Sequence, residues 1–499
     1  MSTPLEFNRV TFGLPVETFR VDAYIALEER LPVVTEFVLR LLKVCGRVPL
    51  SALRDYFGFS DGEALAVVES LSRQGLLDVL DEEAQLSLFA LERFEEAGGD
   101  YPRFSKVELK SDTVTFDLVS FTPLRTVGGE MPSDNMLKLN VADDALGHSV
   151  ESARAAYRQR YSEIAALRAE LREKSFGVYS VEDVESKRRT YIPIPVGFVL
   201  DTDGQVERRI DEAFERIAPA ELVQFVNEQV TAAIPRTLSL GATGLEEFID
   251  TFDLKLMGQY LIGKKFDVLR YLADVHVART VKYGDGIEPV FGSLYLPENR
   301  ERIVTRLRDR RAGRRRHGRL LTSLAWLVPD YPLWGRGDVL VSSVNAFSAE
   351  LESNGFGDSL YLFAYAEQGQ ETEVTNQLRT PQLRELHFAR PLPPDNQLMG
   401  GRLELMLYPT GFVAAMCHVQ LPGNSGLWAG IGVLSSRANH LDTAQKLMRK
   451  VMDGRRYGRR AKLSQKDSRS QAATFDEACS FLNYCGLRES GSDVPEVGA

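Results

Sequence analysis

Apolar strand-like runs alternate with helical patterns over the last third of the chain, and this alternation constrains the fold more than any other feature. The runs "RLLTSLAWLV", "GDVLVSSV", "DSLYLFAYAEQG" and "GRLELMLYP" are typical of strands. "NAFSAELESNG" predicts a short helix that ends at glycine, and "HLDTAQKLMRKVM" predicts a longer one. Strands that alternate with helices favour a central sheet with helices packed against it. We therefore predict an α/β domain in this region.

The stretch "GFVAAMCHVQLPGNSGLWAGIGVLSSRAN", from Gly411 to Asn439, has the pattern of a strand, a turn and a second strand. His418 lies at the end of the first strand, and small polar residues, Ser435 and Ser436, close the second. The stretch is either a catalytic site, a site that has lost its activity, or a hairpin whose histidine only packs.

Residues 28–97 predict three helices, followed by a strand, an acidic turn and a second strand or short helix. The first helix, "ERLPVVTEFVLRLLKVCG", has apolar residues at helical spacing. Its predicted buried face consists of Val34, Phe37, Val38 and Leu41. At the start of the third helix, Ser60 is a predicted N-cap with Glu63 three residues later, as in a capping box, and Gly75 is expected to end the helix.

Three helices and a β-wing resemble a winged helix, which is a relative of the helix-turn-helix. The third helix carries more carboxylates than cations, and the predicted wing contains Asp78, Asp81, Glu82 and Glu83. Because a helix that reads DNA needs cations or amides, we interpret this module as one that contacts protein.

The middle of the chain mixes both kinds of element. Residues 104–143 predict strands, and 144–174 predict one long helix. Residues 188–210 predict a hairpin with Asp-Gly at its turn. Helices are predicted over 209–233 and 245–280. His276 lies on a mostly apolar helix, so we expect a core histidine whose hydrogen bonds are satisfied.

The net charge of −10 conceals two basic segments. Residues 301–319 contain nine arginines and two carboxylates, and residues 446–469 contain ten Lys and Arg and two carboxylates. Clustered cations on an acidic background are typical of a phosphate-binding surface. A solvated helix face or an ion-pair surface between domains would give the same pattern. The candidate nucleic-acid-binding residues are Arg310, Arg311, Arg314, Arg315, Arg316, Arg455, Arg456, Arg459 and Arg460.

The hairpin and its flanks, residues 335–455, resemble the phospholipase-D-like (HKD) fold, whose half-sites carry H-x-K on one strand and G-S-x-x-N on the next. The resemblance implies His418 as the nucleophile, with Ser436 and Asn439 contacting the phosphate. Gln420 stands where the family has lysine, and the chain contains no second H-x-K. Phosphoryl transfer depends on positive charge placed at the phosphate oxygens, so the missing lysine predicts weak catalysis or none.

The fold class expected from these patterns is a multidomain α+β and α/β protein. The predicted domains are a winged-helix-like domain (1–100), a mixed α+β middle region (101–300), a phospholipase-D-like α/β domain with flanking basic segments (301–465) and a loose tail (466–499).

The sequence is compatible with three functions. The first is a non-catalytic nucleic-acid-binding scaffold, with DNA as the favoured nucleic acid. The resemblance implies a bacterial phage-defence or DNA-processing system, with a protein partner such as an ATPase. The second is a phosphodiesterase or nuclease that uses His418. The third is a pure protein-assembly subunit, and either kind of subunit is compatible with an oligomer.

Other expectations follow from what the chain does not contain. No apolar run approaches the ~18 residues that span a bilayer, and the N-terminus lacks a secretory pattern. The four cysteines form no C-x-x-C pair, so we expect no metal site, no cofactor and a cytoplasmic location.

Overall fold

A computed structural model describes residues 4–29, 31–96, 104–125, 135–167, 175–201, 204–235, 243–263, 265–314, 324–352, 360–365, 374, 377–378, 385–389, 397–409, 411–421, 426–452 and 460–462. In chain order the strands are β1 (Leu5–Glu29), β2 (Arg47–Pro49), β3 (Leu77–Leu80), β4 (Glu83–Leu86), β5 (Phe104–Asp117), β6 (Pro123–Leu124), β7 (Leu137–Lys138), β8 (Ser175–Leu200), β9 (Val206–Ile210), β10 (Leu261–Ile262), β11 (Lys265–Phe266), β12 (Ile287–Phe291), β13 (Leu324–Leu327), β14 (Leu360–Tyr365), β15 (Glu385–Ala389), β16 (Leu403–Tyr408), β17 (Phe412–Gln420), β18 (Trp428–Ser435) and β19 (Arg460–Lys462).

The α-helices are α1 (Val33–Cys45), α2 (Leu50–Phe57), α3 (Asp61–Arg73), α4 (Leu88–Glu96), α5 (Asp143–Gly147), α6 (Ser149–Gln159), α7 (Tyr161–Leu167), α8 (Glu212–Ile217), α9 (Ala220–Ala233), α10 (Thr243–Thr251), α11 (Lys255–Gly258), α12 (Val268–Leu272), α13 (Pro297–Arg314), α14 (Asp338–Glu352) and α15 (Ala438–Met452). A π-helical turn spans Ala273–Val277 and a 3-10 turn spans Leu398–Gly401. Within these described ranges no helix is both long enough and apolar enough to cross a membrane.

The described residues belong to two compact units, so the chain is a mixed α/β protein of more than one domain. Unit 1 is drawn from Met1–Pro15, Gly129–Asn140 and Tyr191–Ala499, and unit 2 from Val16–Gly128 and Val141–Thr190. The region 101–300, expected to be one mixed domain, therefore contributes to both units. The other predicted boundaries stay predictions.

In unit 2, helices α1 to α4 surround a three-stranded antiparallel sheet in the order β2-β4-β3. The capping box at α3 is confirmed: the Ser60 hydroxyl accepts from the Glu63 backbone N–H, and the Glu63 carboxylate accepts from the Ser60 backbone N–H. Gly75 follows the end of α3 with φ +68°, a conformation that glycine adopts without strain.

The predicted buried face of α1 was wrong in part. The residues of α1 that are buried are Val38, Leu39 and Leu42, and they pack with residues of α2, α3 and the sheet. Val34 and Phe37 are instead exposed. Both sides of this helix are apolar, so helical spacing alone does not decide which side packs inward.

Unit 2 also contains a long antiparallel ladder. β1 pairs with β5 from Val16 opposite Asp117 to Glu29 opposite Phe104. Tyr157 of α6 and Tyr161 of α7 pack on this ladder. The single helix predicted over 144–174 is in fact the three short helices α5, α6 and α7, with residues 168–174 outside the described part. The hydroxyl of Tyr157 donates to Asp112 of the ladder, 2.6 Å away.

Unit 1 is built on a mixed eight-stranded sheet in the order β12-β18-β17-β16-β13-β14-β15-β19. Strands β13, β14 and β15 are parallel to one another, and the other neighbours are antiparallel. The predicted strand "GDVLVSSV" is wrong, because it forms the start of α14. Leu340, Val344, Phe347 and Leu351 are buried at helical spacing, which joins this run to the short helix predicted after it.

Helices cover both faces of this sheet. On one face, Phe347 of α14 packs edge-on against Trp326 of β13. Arg308 of α13 forms an ion pair with Glu350 of α14 at 2.7 Å, so α13 lies beside α14. On the other face, His440 of α15 contacts Ser435 of β18. The strands between are therefore buried on both sides, as long apolar strands require.

Candidate functional site

His418 lies on β17 inside the sheet of unit 1, opposite Gly430 of β18. Its side chain is 1% exposed. The ring Nε2 is 2.7 Å from Oε2 of Glu404, a β16 residue that is 0% exposed. The ring Nδ1 is buried and has no hydrogen-bond partner among the described residues.

The Glu404 carboxylate also accepts hydrogen bonds from two other groups. Its Oε1 accepts hydrogen bonds from the indole Nε1 of Trp326 and the backbone N–H of Leu294, each at 3.3 Å. Burying a carboxylate is costly unless donors surround it, and here three groups do so. This arrangement is typical of a buried structural pair, and it leaves His418 without access to a phosphodiester.

Ser435 belongs to the opposite face of the same sheet. Val413 pairs with Ser435 and His418 with Gly430, and alternate residues of a strand point to opposite faces. His418 therefore points to the α14 side and Ser435 to the α15 side. The Ser435 hydroxyl lies 2.9 Å from Nδ1 of His440 and accepts from the backbone N–H of Arg437.

Ser436 and Asn439 lie farther along, beyond the end of β18. Gly430 is the residue opposite His418, and Ser436 is six residues beyond Gly430 along the chain, which corresponds to about 20 Å in an extended strand. Asn439 is exposed on the first turn of α15. The structure brings Ser435 and His440 together but does not bring His418 together with Ser436 or Asn439. The sequence interpretation had assigned no role to His440.

In the first basic segment, the described arginines of α13 are engaged with carboxylates. Arg302 pairs with Glu298 at 3.1 Å. Arg306 pairs with Glu288 of β12, and Arg308 with Glu350, as described above. The first pair lies within α13, whereas the other two link α13 to β12 and to α14.

The remaining cations of this segment follow Arg308. Residues 309–319 contain six arginines and one carboxylate, Asp309. The backbone of Arg310, Arg311 and Arg314 belongs to the last turns of α13, whereas their side chains, and all of Arg315 and Arg316, lie outside the described residues.

Of the second basic segment, Arg455, Arg456 and Arg459 lie outside the described residues. Arg460 begins β19, and its side chain is not described. Binding by any of these arginines stays a prediction.

The described backbone shows what lies beside each basic segment. After α13, the next described residue is Leu324, the first of β13. β19 is antiparallel to β15, with Arg460 opposite His387 and Lys462 opposite Glu385.

A cavity of about 930 Å³ in unit 1 was not indicated by any motif. The N-terminal end of β1, residues 275–283, β12 and the start of α13 form its wall. Lining cations such as Arg9, Arg279 and Lys282 come from separate parts of the chain. Sequence spacing carries no signal for such a site, since only the fold brings these segments together.

No family model matches the chain, and no curated protein matches it. Among solved structures, one described as TrmBL2, an archaeal chromatin protein that shows a novel mode of DNA binding, covers 86% of this chain and 94% of its own. The identity is 6% and the TM-score is 0.19. At these values the likeness carries no argument about the fold or the function of this chain.

Proposed function

We propose that this protein is a non-catalytic nucleic-acid-binding scaffold that contacts the phosphate backbone through the arginines at the end of α13. The observation that carries the proposal is the division of charge along α13. Arg302, Arg306 and Arg308 are neutralised by carboxylates, whereas residues 309–319 place six arginines against one aspartate. Structural ion pairs therefore account for the first part of the basic segment and leave the second part with a surplus of positive charge.

The geometry of His418 favours the non-catalytic form of this proposal. A nucleophile must reach the phosphorus atom, and His418 is enclosed in the sheet with Glu404. Its predicted partner Ser436 lies about 20 Å away by strand length. The phosphodiesterase hypothesis therefore has no assembled site among the described residues.

Salt-dependent binding tests the proposal. The full chain is titrated with labelled single- and double-stranded DNA and RNA at several salt concentrations, and each mixture is then run on a denaturing gel. We expect binding that weakens steeply with salt and leaves the strands intact. Each phosphate contact contributes about 0.7 to 0.9 to the logarithmic salt slope. The variant Arg314→Ala/Arg315→Ala/Arg316→Ala should therefore lower the slope by about two to three.

A matched control removes the same charge elsewhere. Arg73, Arg216 and Lys255 are exposed, and their triple alanine variant should keep the slope of the parent chain. An equal loss in both variants would show that net charge alone drives binding. No binding at low salt would overturn the proposal. Cleaved strands would instead support the hypothesis that His418 is a nucleophile.

Protein assembly is a second candidate function, and the exposed side of α1 favours it. Val33, Phe37 and Val44 are 69%, 50% and 85% exposed, and they share one helix side at spacings of four and seven residues. We propose that residues 31–96 form a winged helix and that this apolar stripe is its protein-contact surface, because exposed apolar stripes mark interaction sites. A defence role and an ATPase partner stay predictions of the family resemblance.

Sedimentation velocity over a range of concentrations tests assembly through a second copy of the chain. The wild type should show a mass that grows with concentration, and Phe37→Asp/Val44→Asp should remove this growth. Glu69→Gln/Arg73→Gln, on the exposed surface of α3, is the control. A wild type that stays monomeric throughout would contradict self-assembly, and nucleic-acid binding by the Phe37→Asp/Val44→Asp variant would show that the two functions are separate.

A further inference from the structure

The cavity of about 930 Å³ in unit 1 has the size of a small-molecule site. Its lining includes Pro4, Arg9, His276, Lys282 and Asn299. Of the described side chains in the two basic segments, Arg302 is the one that lines it.

The carboxylates in the wall already have arginine partners. Glu6 pairs with Arg9 at 2.7 Å. Glu298 and Glu288 pair with Arg302 and Arg306 respectively. Their negative charge is therefore largely balanced before any ligand enters.

Two lining cations have no such partner. Arg279 and Lys282 are exposed and line the cavity, and no ion pair to either is found within the described ranges. Arg279 also has φ +52°, a left-handed conformation that is uncommon for residues other than glycine. Strained residues of this kind cluster at ligand sites. The wall therefore offers positive charge to an anion.

Flat rings line the same wall. His276, Tyr283 and Phe291 all contribute, and the ring centroids of His276 and Phe291 are 5.9 Å apart. The hydroxyls of Tyr283 and Tyr271 are hydrogen-bonded at 3.0 Å, so Tyr283 is held in place.

His276 was expected to be a satisfied core histidine, and this expectation was wrong. Its Nε2 is buried and has no hydrogen-bond partner within the described structure. It lies in the π-helical turn Ala273–Val277, and such turns are frequent at functional sites. Burial, Arg302 and Arg279 lower the pKa of His276 to about 4. The ring is therefore neutral at pH 7, and an unpartnered polar atom is costly unless something satisfies it.

We propose that this cavity binds a nucleoside phosphate, with the phosphate at Arg279 and Lys282 and the base against His276 and its neighbouring rings. A phosphate alone would leave the rings unused, and an apolar molecule would leave the two cations unused. The site goes beyond the backbone binding proposed above and shares no arginine with residues 310–316. A free nucleotide and the phosphorylated end of a strand carry the same chemistry.

Calorimetric titration of the full chain tests the site. The probes are AMP, GMP, CMP and UMP, with the four matching nucleosides and inorganic phosphate for comparison. At least one monophosphate should bind at least tenfold more tightly than its own nucleoside or inorganic phosphate. Arg279→Ala/Lys282→Ala should weaken that binding at least tenfold and leave binding of the nucleoside unchanged, whereas His276→Ala should weaken binding of both the nucleotide and its nucleoside.

The control Arg216→Ala/Lys255→Ala removes the same charge outside the cavity and should keep the parent affinity. Arg314→Ala/Arg315→Ala/Arg316→Ala should also keep it, so the failure of the backbone proposal and the failure of this one are distinguishable. Competition by a 5′-phosphorylated trinucleotide would assign the site to strand ends, and no competition would assign it to free nucleotides. Absence of binding by every monophosphate, or binding unaffected by Arg279→Ala/Lys282→Ala, would overturn the proposal.

Discussion

Glu404 and His418 form a polar pair inside an apolar sheet, and three donors depend on one carboxylate. The hydrogen bonds from His418 Nε2, Trp326 Nε1 and Leu294 N–H all end on Glu404. Losing one member of such a group leaves the others buried without partners, which costs more than the pair itself contributes.

Glu404→Leu should therefore lower the free energy of unfolding by about 3 to 5 kcal/mol, measured by urea denaturation at pH 7. Glu404→Gln keeps a side-chain oxygen acceptor and nearly the same shape. This variant should therefore lower the free energy of unfolding by less, about 1 to 2 kcal/mol. Equal losses in the two variants would show that the carboxylate is not the centre of the network.

His276 should make stability depend on pH. Its pKa is lowered to about 4, compared with about 6.5 in an unfolded chain, so between these values the unfolded state binds more protons. The contribution of neutral His276 is complete above about pH 6.5 and is lost as the pH falls towards 4. Between pH 7 and pH 4.5 the wild type should lose about 2 to 3 kcal/mol more than His276→Gln.

Denaturant unfolding of both chains at the two pH values measures this difference. His440 also has a lowered pKa, mainly through burial. Because His440 is present in both chains, its contribution to the pH dependence cancels in the comparison. Parallel losses in wild type and variant would assign the pH dependence to other groups.

At the scale of elements, β17 and β18 approach closely at Gly432. A Cβ atom there would lie 2.6 Å from Cα of Met416 and still closer to the carbonyl oxygen of Ala415. Backbone atoms cannot move aside as a flexible side chain can. Glycine at 432 therefore permits the central pairing of the sheet.

Gly432→Ala should cost about 3 kcal/mol or more, because the strands must separate. Gly62 is the control, since a Cβ there meets nothing within 4 Å and the residue lies in α3. Gly62→Ala should be neutral or stabilising by up to about 1 kcal/mol. Thermal unfolding of both variants measures the contrast, and a mild effect at 432 would contradict the tight strand approach.

At the scale of the whole molecule, the two basic segments are far apart in the chain: one includes most of α13, and the other begins in the last turns of α15. Charges farther apart than the Debye length, about 8 to 10 Å in physiological salt, act almost independently. We predict that the two segments bind nucleic acid as two separate footprints.

Alanine variants of residues 314–316 and of residues 455, 456 and 459 should therefore have additive effects on the logarithmic salt slope. Each set should lower it by up to about 3, and the combined variant by the sum of the two losses. Binding to labelled DNA of increasing length measures the slopes. A combined loss no larger than that of one set would show a single shared footprint.

The sequence by itself determined the elements whose cause is local. The capping box at Ser60 and Glu63, the hairpin that pairs Val196 with Ile210 and the hairpin of β17 and β18 each depend on neighbouring residues. Backbone conformation and short-range hydrogen bonds fix such features, so their patterns are visible in the chain.

Only the tertiary structure decided which surfaces are buried. Strand alternation places His418 and Cys417 on opposite faces, but it does not show that helices cover both faces of this sheet. It gives no sign that Glu404, fourteen residues away, completes a buried pair, or that Arg9 and Arg279 line one cavity. Burial and charge pairing depend on contacts between distant segments, which the fold creates and no local pattern encodes.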